Sequence, residues 1–264
     1  MPSVIPLYST SLSGKAGLLD ETLTTLRLVA NGSDLEAVRA AIVKGDVLGK
    51  ATHKNRLSVW EKIHERYLTN WPQAVLLAKM VMASPDRNSA RLLIYYEFCC
   101  SEPILYDAII GPVFGRFSGG FTGVEISDLQ TWLDSVEADH LEIRRWSPQT
   151  RKKVLSNILT VLRDFGLMAG TARKVFQPVY LPLPVFGYVL YRLHDVPQLP
   201  GPRGVISAPD WRLFFQDEED VIALLNEAAA AGYCTFKRQG DVMTLDLRWS
   251  TREAYVAAIA GQVQ

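Results

Sequence analysis

The chain has 264 residues, 28 basic and 28 acidic, with no net charge and 48% apolar residues. That balance suits an ordinary globular protein with ample length for a core, in one large domain or two or three small ones. Three cysteines, two of them adjacent (Cys99, Cys100 and Cys234), exclude a disulfide framework and point to a reducing cytoplasm, with no basic-then-apolar leader and no apolar run long enough to cross a bilayer.

Residues 1–70 read as helices. "GLLDETLTTLRLVANG" has apolar residues at helical spacing and stops at Asn31-Gly32. "SDLEAVRAAIVKG" places Ser33 as an N-cap with Glu36 three residues on, and Gly45 as the stop. A short connection leads into "THKNRLSVWEKIHERYL", where Leu57, Trp60, Ile63 and Tyr67 share one face. Helix, glycine-containing turn, helix is the outline of a helix-turn-helix. Lys50, His53, Lys54 and Arg56 crowd the start of its second helix.

Residues 71–142 form a helical middle. "WPQAVLLAKMVMA" and "NSARLLIYYEFCC" are candidate buried helices, so Tyr95, Tyr96 and Phe98 belong to a core. "GRFSGGFTG" reads as a flexible connection, because it matches no phosphate-binding glycine signature. "EISDLQTWLDSV" is a further helix.

Residues 143–194 hold "WSPQTRKKVLSNILTVLRDFGLMAG". Ser147 is placed as N-cap and Pro148 as first helical residue. Val154, Leu155, Ile158, Leu159, Val161, Leu162 and Phe165 form the apolar face. Lys152, Lys153, Ser156, Asn157, Thr160 and Arg163 lie opposite. "TARKVFQPVYL" supplies the second arm of a small hairpin, and helix then hairpin is the tail of a winged helix.

From residue 195 to 264 the chain reads as a linker, "HDVPQLPGPRGVISAP", followed by an appendage. That appendage is a helix with acids in its first turn, a hairpin about Gln239-Gly240-Asp241, and a closing helix. The fold class is therefore mainly α, with helix-turn-helix and winged-helix-like segments and a small C-terminal α/β appendage.

The charge is segregated. Arg144 to Lys174 carries eight basic residues against Asp164 alone, a local +7 in a neutral chain. Arg151, Lys152 and Lys153 sit in the first turns of a helix, where the dipole prefers acids. A solvated helix face is the bland explanation. Nucleic-acid binding stands slightly ahead of it, because Asn157 and Thr160 follow the lysine pair and asparagine pairs bidentately with adenine. The hairpin adds Arg173 and Lys174, suited to backbone phosphate. Candidate DNA-contacting residues are thus Arg144, Arg145, Arg151, Lys152, Lys153, Asn157, Thr160, Arg173 and Lys174, joined by Lys50, His53, Lys54 and Arg56. The four histidines have no metal spacing, and no nucleophile elbow occurs. The acids Asp217 to Asp220 form a helix-start turn rather than a metal site. No enzyme, cofactor or metal is expected.

"LLIYYEFCCSEPILYD", then the 146–170 stretch, then "LPLPVFGYVLYRL" resemble the BrxA family of BREX phage-defence systems over roughly residues 8–193. The resemblance rests on segment order and texture, not on a catalytic signature. It implies a bacterial, cytoplasmic, mostly helical protein that binds double-stranded DNA beside other BREX components: a methyltransferase, a large ATPase and a phosphatase-like protein. That family's older description as an inner-membrane protein finds no support in the hydropathy here. Residues after about 195 extend beyond the shorter members. The alternative function is an adaptor whose basic surface docks an acidic partner protein.

Overall fold

A computed structural model describes residues 6–171, 173–199 and 201–261. The N-terminal segment makes a 3-10 turn at Ser11–Ser13 and leads to helix α1, Leu19–Ala30. α1 ends where expected: Asn31 caps it and Gly32 takes φ +89°, a conformation glycine adopts without a Cβ penalty.

Helix α2 spans Leu35–Val43, and its cap is Asp34 rather than Ser33. The Ser33 amide instead donates to the Leu28 carbonyl, so Ser33 closes α1. The Asp34 carboxylate, on extended backbone, accepts from the Ala37 amide at 2.8 Å. At the other end the left-handed residue is Asp46, φ 55°, not Gly45. Gly45 stays at the helix end for a different reason: a Cβ there would sit 2.9 Å from the Ala41 carbonyl oxygen.

Helix α3, His53–Ile63, is capped by Thr52 and runs on as a π-helical turn, His64–Leu68. Val59, Trp60, Ile63 and Tyr67 are buried, while Leu57 is only half-buried. α2 and α3 pack on each other across the 44–52 connection.

Helices α4 (Trp71–Met82) and α5 (Arg87–Ser101) form the centre, capped by Asn70 and Asp86. Tyr95, Tyr96 and Phe98 are fully buried. Their position is affordable because the two hydroxyls are satisfied: Tyr95 donates to the Leu213 carbonyl at 2.9 Å and Tyr96 to Asp210 at 2.7 Å. Helix α6 (Pro103–Ala108) continues through a π-helical turn, Ile109–Val113, into α7 (Phe114–Ser118). The stretch expected to be a flexible connection is therefore half helix.

Helix α8 (Ile126–Val136), a 3-10 turn (Leu141–Arg145) and helix α9 (Pro148–Asp164) follow. Two short strands, β1 (Met168–Ala169) and β2 (Val175–Phe176), then pair antiparallel. Helix α10 is Leu183–His194.

The expected linker is not one. Gly201–Ile206 forms helix α11, with Val205 and Ile206 buried. A 3-10 turn at Pro209–Phe214 buries Trp211, whose indole donates to the Val205 carbonyl and stacks on Phe186 at 5.0 Å. The segment is tied down because Val205, Ile206 and Ala208 are buried in the common core. Helix α12 (Glu218–Ala230) opens with a capping box between Asp217 and Asp220. Strands β3 (Cys234–Gln239) and β4 (Val242–Leu247) pair about Gly240-Asp241. Helix α13 (Arg252–Gly261) lies across α4 and α10, with Tyr255 stacked on Tyr191 at 4.7 Å and its hydroxyl donating to the Pro184 carbonyl. Gly187 is required beneath it, since any Cβ would collide with the Tyr255 ring. One apolar cluster runs from Tyr8 to Ile259. The protein is mainly α-helical, with two small antiparallel hairpins among the described residues.

Candidate nucleic-acid interface

Helix α9 starts as its sequence dictates. The Ser147 hydroxyl accepts from the Thr150 amide at 3.1 Å and Pro148 occupies the first turn. Its apolar face, Val154 through Phe165, is buried. No acid of its own offsets the helix dipole. The compensation comes from α8: Arg151 pairs with Glu137 at 2.7 Å and Asp134 at 3.3 Å, and donates to the Ile143 carbonyl at 3.1 Å. Arg144 reaches the same Glu137 at 3.5 Å, with its side chain 60% exposed. Arg151 is therefore a clamp between α8 and α9. Lys152 and Lys153, the next two residues, are exposed. Arg145 is exposed as well. Among the described residues none of these three pairs with a carboxylate.

The N-terminal segment covers part of the polar side of α9. The Asn157 amide donates to the Leu12 and Gly14 carbonyls, and Gly17 packs against Asp164. Thr160 donates to the Ser156 carbonyl at 3.0 Å, an internal helix bond. The pair expected to read bases is thus engaged within the fold. What stays exposed is Lys152 and Lys153, with Ser156 half-exposed in line with Lys152; Arg163, further along, is paired with Asp164 at 2.8 Å.

The β1–β2 hairpin stands beside that line. The Phe176 amide donates to the Thr122 carbonyl at 2.9 Å, so the glycine-rich loop after α7 joins the hairpin edge. Gly123 makes this possible: a Cβ there would collide with the Lys174 carbonyl oxygen. Phe176 packs edge-on against Phe117 at 5.5 Å and Phe215 at 5.3 Å, fixing the hairpin base to the body and to the C-terminal piece. A cleft of about 580 Å³ opens between loop and hairpin, lined by Arg116, Phe121, Leu159, Arg173 and Lys174. Arg173 approaches the Thr122 hydroxyl at 3.4 Å. Arg116 and Phe121 were passed over in the sequence, where the aromatic-and-arginine texture of "GRFSGGFTG" was the available signal.

In the first helix pair the cations divide in the same way. Lys50 pairs with Glu21 at 2.6 Å. Arg56 donates to the Val43 carbonyl at 3.0 Å and the Lys50 carbonyl at 3.3 Å, with Asp46 at 3.6 Å. Both hold the turn between α2 and α3. His53 and Lys54 are exposed at the start of α3. The two basic regions meet at the N-terminal segment: Lys15 donates to Asn55 of α3, while the Leu12 and Gly14 carbonyls take Asn157 of α9. Burial lowers the Lys15 ammonium pKa, and neighbouring Lys50 lowers it further. Lys15 is a cation that sequence reading did not single out.

Among the described residues, no three His, Cys, Asp or Glu side chains converge as a metal set. His140 is stacked under Tyr8 at 3.6 Å and lies 3.2 Å from Glu142, inside the fold. Asp217 and Asp220 are occupied with each other's amides as helix caps. No helix of the described residues is long and apolar enough to cross a membrane.

Among curated proteins, none matches this chain. A solved structure that it resembles is that of an uncharacterized protein from Magnetospirillum magneticum, 17% identical, with a TM-score of 0.62 over 80% of this chain and 99% of that one. At that identity the likeness shows a shared fold and nothing more. The BrxA family profile matches residues 6–190, leaving the segment that carries α11 to α13 outside the match. The chain belongs to the BrxA family and is thereby a component of BREX phage-defence systems.

Proposed function

We propose that the protein binds double-stranded DNA without catalysis, as one part of a BREX assembly. The observation that carries this reading is a division of labour among neighbouring cations. Arg151, Lys50 and Arg56 are neutralised inside the fold, whereas Arg145, Lys152, Lys153, Arg173 and Lys174 have no carboxylate partner among the described residues. Unpaired, and exposed except for the half-buried Lys174, these charges remain available to an external anion. Free cations along a helix and on a hairpin beside it suit the phosphates flanking a groove. His53 and Lys54 are exposed at the start of α3, which the N-terminal segment bridges to α9 through Lys15–Asn55 and Asn157. With Asn157 and Thr160 engaged elsewhere, contact is mainly to backbone phosphate, so little sequence preference is expected.

Titrating a short labelled duplex with the purified protein at several salt concentrations tests this. Binding is expected at low salt and falls linearly in log–log form as counterions are released. If no complex forms at low salt, the DNA reading fails and the same cations become a docking face for an acidic partner protein.

A further inference from the structure

We propose that the cleft between the glycine-rich loop and the hairpin holds one unpaired nucleotide of a DNA end or overhang, with its base on the Phe121–Arg116 stack and its phosphate on Arg173 and Lys174. This rests on the DNA reading above and adds which form of DNA is preferred.

The cleft is about 580 Å³, within the roughly 300–1,000 Å³ of small-ligand sites. Its floor is Leu159 of α9, so it continues the line of Lys152 and Ser156 along which the duplex would lie. Phe121 is 52% exposed, a large apolar ring left in water at the mouth of a cationic site. The Arg116 guanidinium lies over the ring, 3.6 Å from its centroid, and holds it at the cleft. Two acids stand close by: Glu125 lines the cleft and shares a capping box with Asp128, which pairs with Arg116 at 3.5 Å. Arg173 and Lys174 have no carboxylate partner among the described residues.

An intact duplex offers phosphates but keeps its base faces stacked, so it has no use for Phe121. A free phosphate or an acidic peptide would use the cations alone. An unpaired nucleotide uses both, because base stacking on aromatic or guanidinium planes and phosphate contact reinforce each other. The site is rigid enough to select: Gly123 holds the loop against the hairpin backbone, and the Phe176 amide ties it to Thr122.

The test compares a blunt duplex with the same duplex carrying a short single-stranded overhang, at fixed salt. The overhang should bind roughly tenfold tighter. Phe121→Ala should abolish that preference and leave blunt-duplex affinity unchanged, while Phe121→Tyr should restore it. Arg173→Ala should weaken both DNAs. A 2-aminopurine placed in the overhang should lose fluorescence on binding to the unmodified protein, a readout that does not depend on any variant folding. Equal affinity for the two DNAs, or unchanged 2-aminopurine emission, overturns the cleft assignment and leaves duplex binding standing. No binding to either DNA removes both.

Discussion

Three consecutive cations of α9, Arg151, Lys152 and Lys153, should respond differently to removal. Arg151→Ala takes away three contacts: the bonds to Glu137, Asp134 and the Ile143 carbonyl. Hydrogen bonds to charged groups are worth about 1.5–3 kcal/mol when well protected. Asp134 is 56% exposed and its bond is long, so it adds little. Glu137 is 29% exposed and keeps Arg144 as a weaker partner. The net loss should be about 1–2 kcal/mol, or a fall in Tm of about 3–6 °C for a chain of this size. Lys152→Ala with Lys153→Ala removes no described contact and should move stability by less than about 0.5 kcal/mol. The order reverses for DNA. Losing two phosphate contacts should flatten the slope of log affinity against log salt by about 2, whereas Arg151→Ala should leave the slope nearly unchanged. Thermal melts and fluorescence anisotropy between about 50 and 200 mM salt read both quantities. A double lysine variant that melts early with an unchanged salt slope, or an Arg151 variant with normal Tm and collapsed affinity, would refute the assignment of clamp and contact.

Gly123→Ala should push the hairpin off the loop, because the new methyl meets the Lys174 carbonyl; expect about 1–3 kcal/mol of destabilisation and weaker DNA binding together, checked by melt and anisotropy. Trp211→Ala should cost about 3–5 kcal/mol, since the indole is buried, stacked and hydrogen-bonded; a near-normal Tm would mean that the C-terminal piece is dispensable to the body. Truncation before Trp211 should also weaken DNA binding, because it removes Phe215 from beneath the hairpin; unchanged affinity in a folded truncate would sink this link. Thiol labelling at pH 8 should be slow until the protein unfolds, because burial raises all three cysteine pKa values, Cys100 to about 12.

Local structure was legible wherever neighbouring residues settle it. Ser147 and Pro148 start α9, Asn31-Gly32 ends α1, and Gly240-Asp241 turns the last hairpin, because caps and tight turns are short-range geometry. Apolar spacing likewise marked the buried face of α9 and the core role of Tyr95, Tyr96 and Phe98. Ser33 and Asp34 show the limit of that reading: both are good caps, and in the fold Asp34 takes the cap while the Ser33 amide closes α1. Which cations are free was legible only in part. Arg151 is in helical register with the buried Leu155 and Ile158, off the face that carries Lys152 and Lys153, but the carboxylates it meets come from 14 and 17 residues upstream and only the fold shows them. Asn157 is taken by a carbonyl 145 residues away. The cleft likewise needs Arg116 and Phe121 from one loop and Arg173 and Lys174 from another, held together by a glycine with no room for a side chain. Charge is a property of the residue, but its availability depends on what the fold sets within a few ångströms of it, and only tertiary structure fixes that.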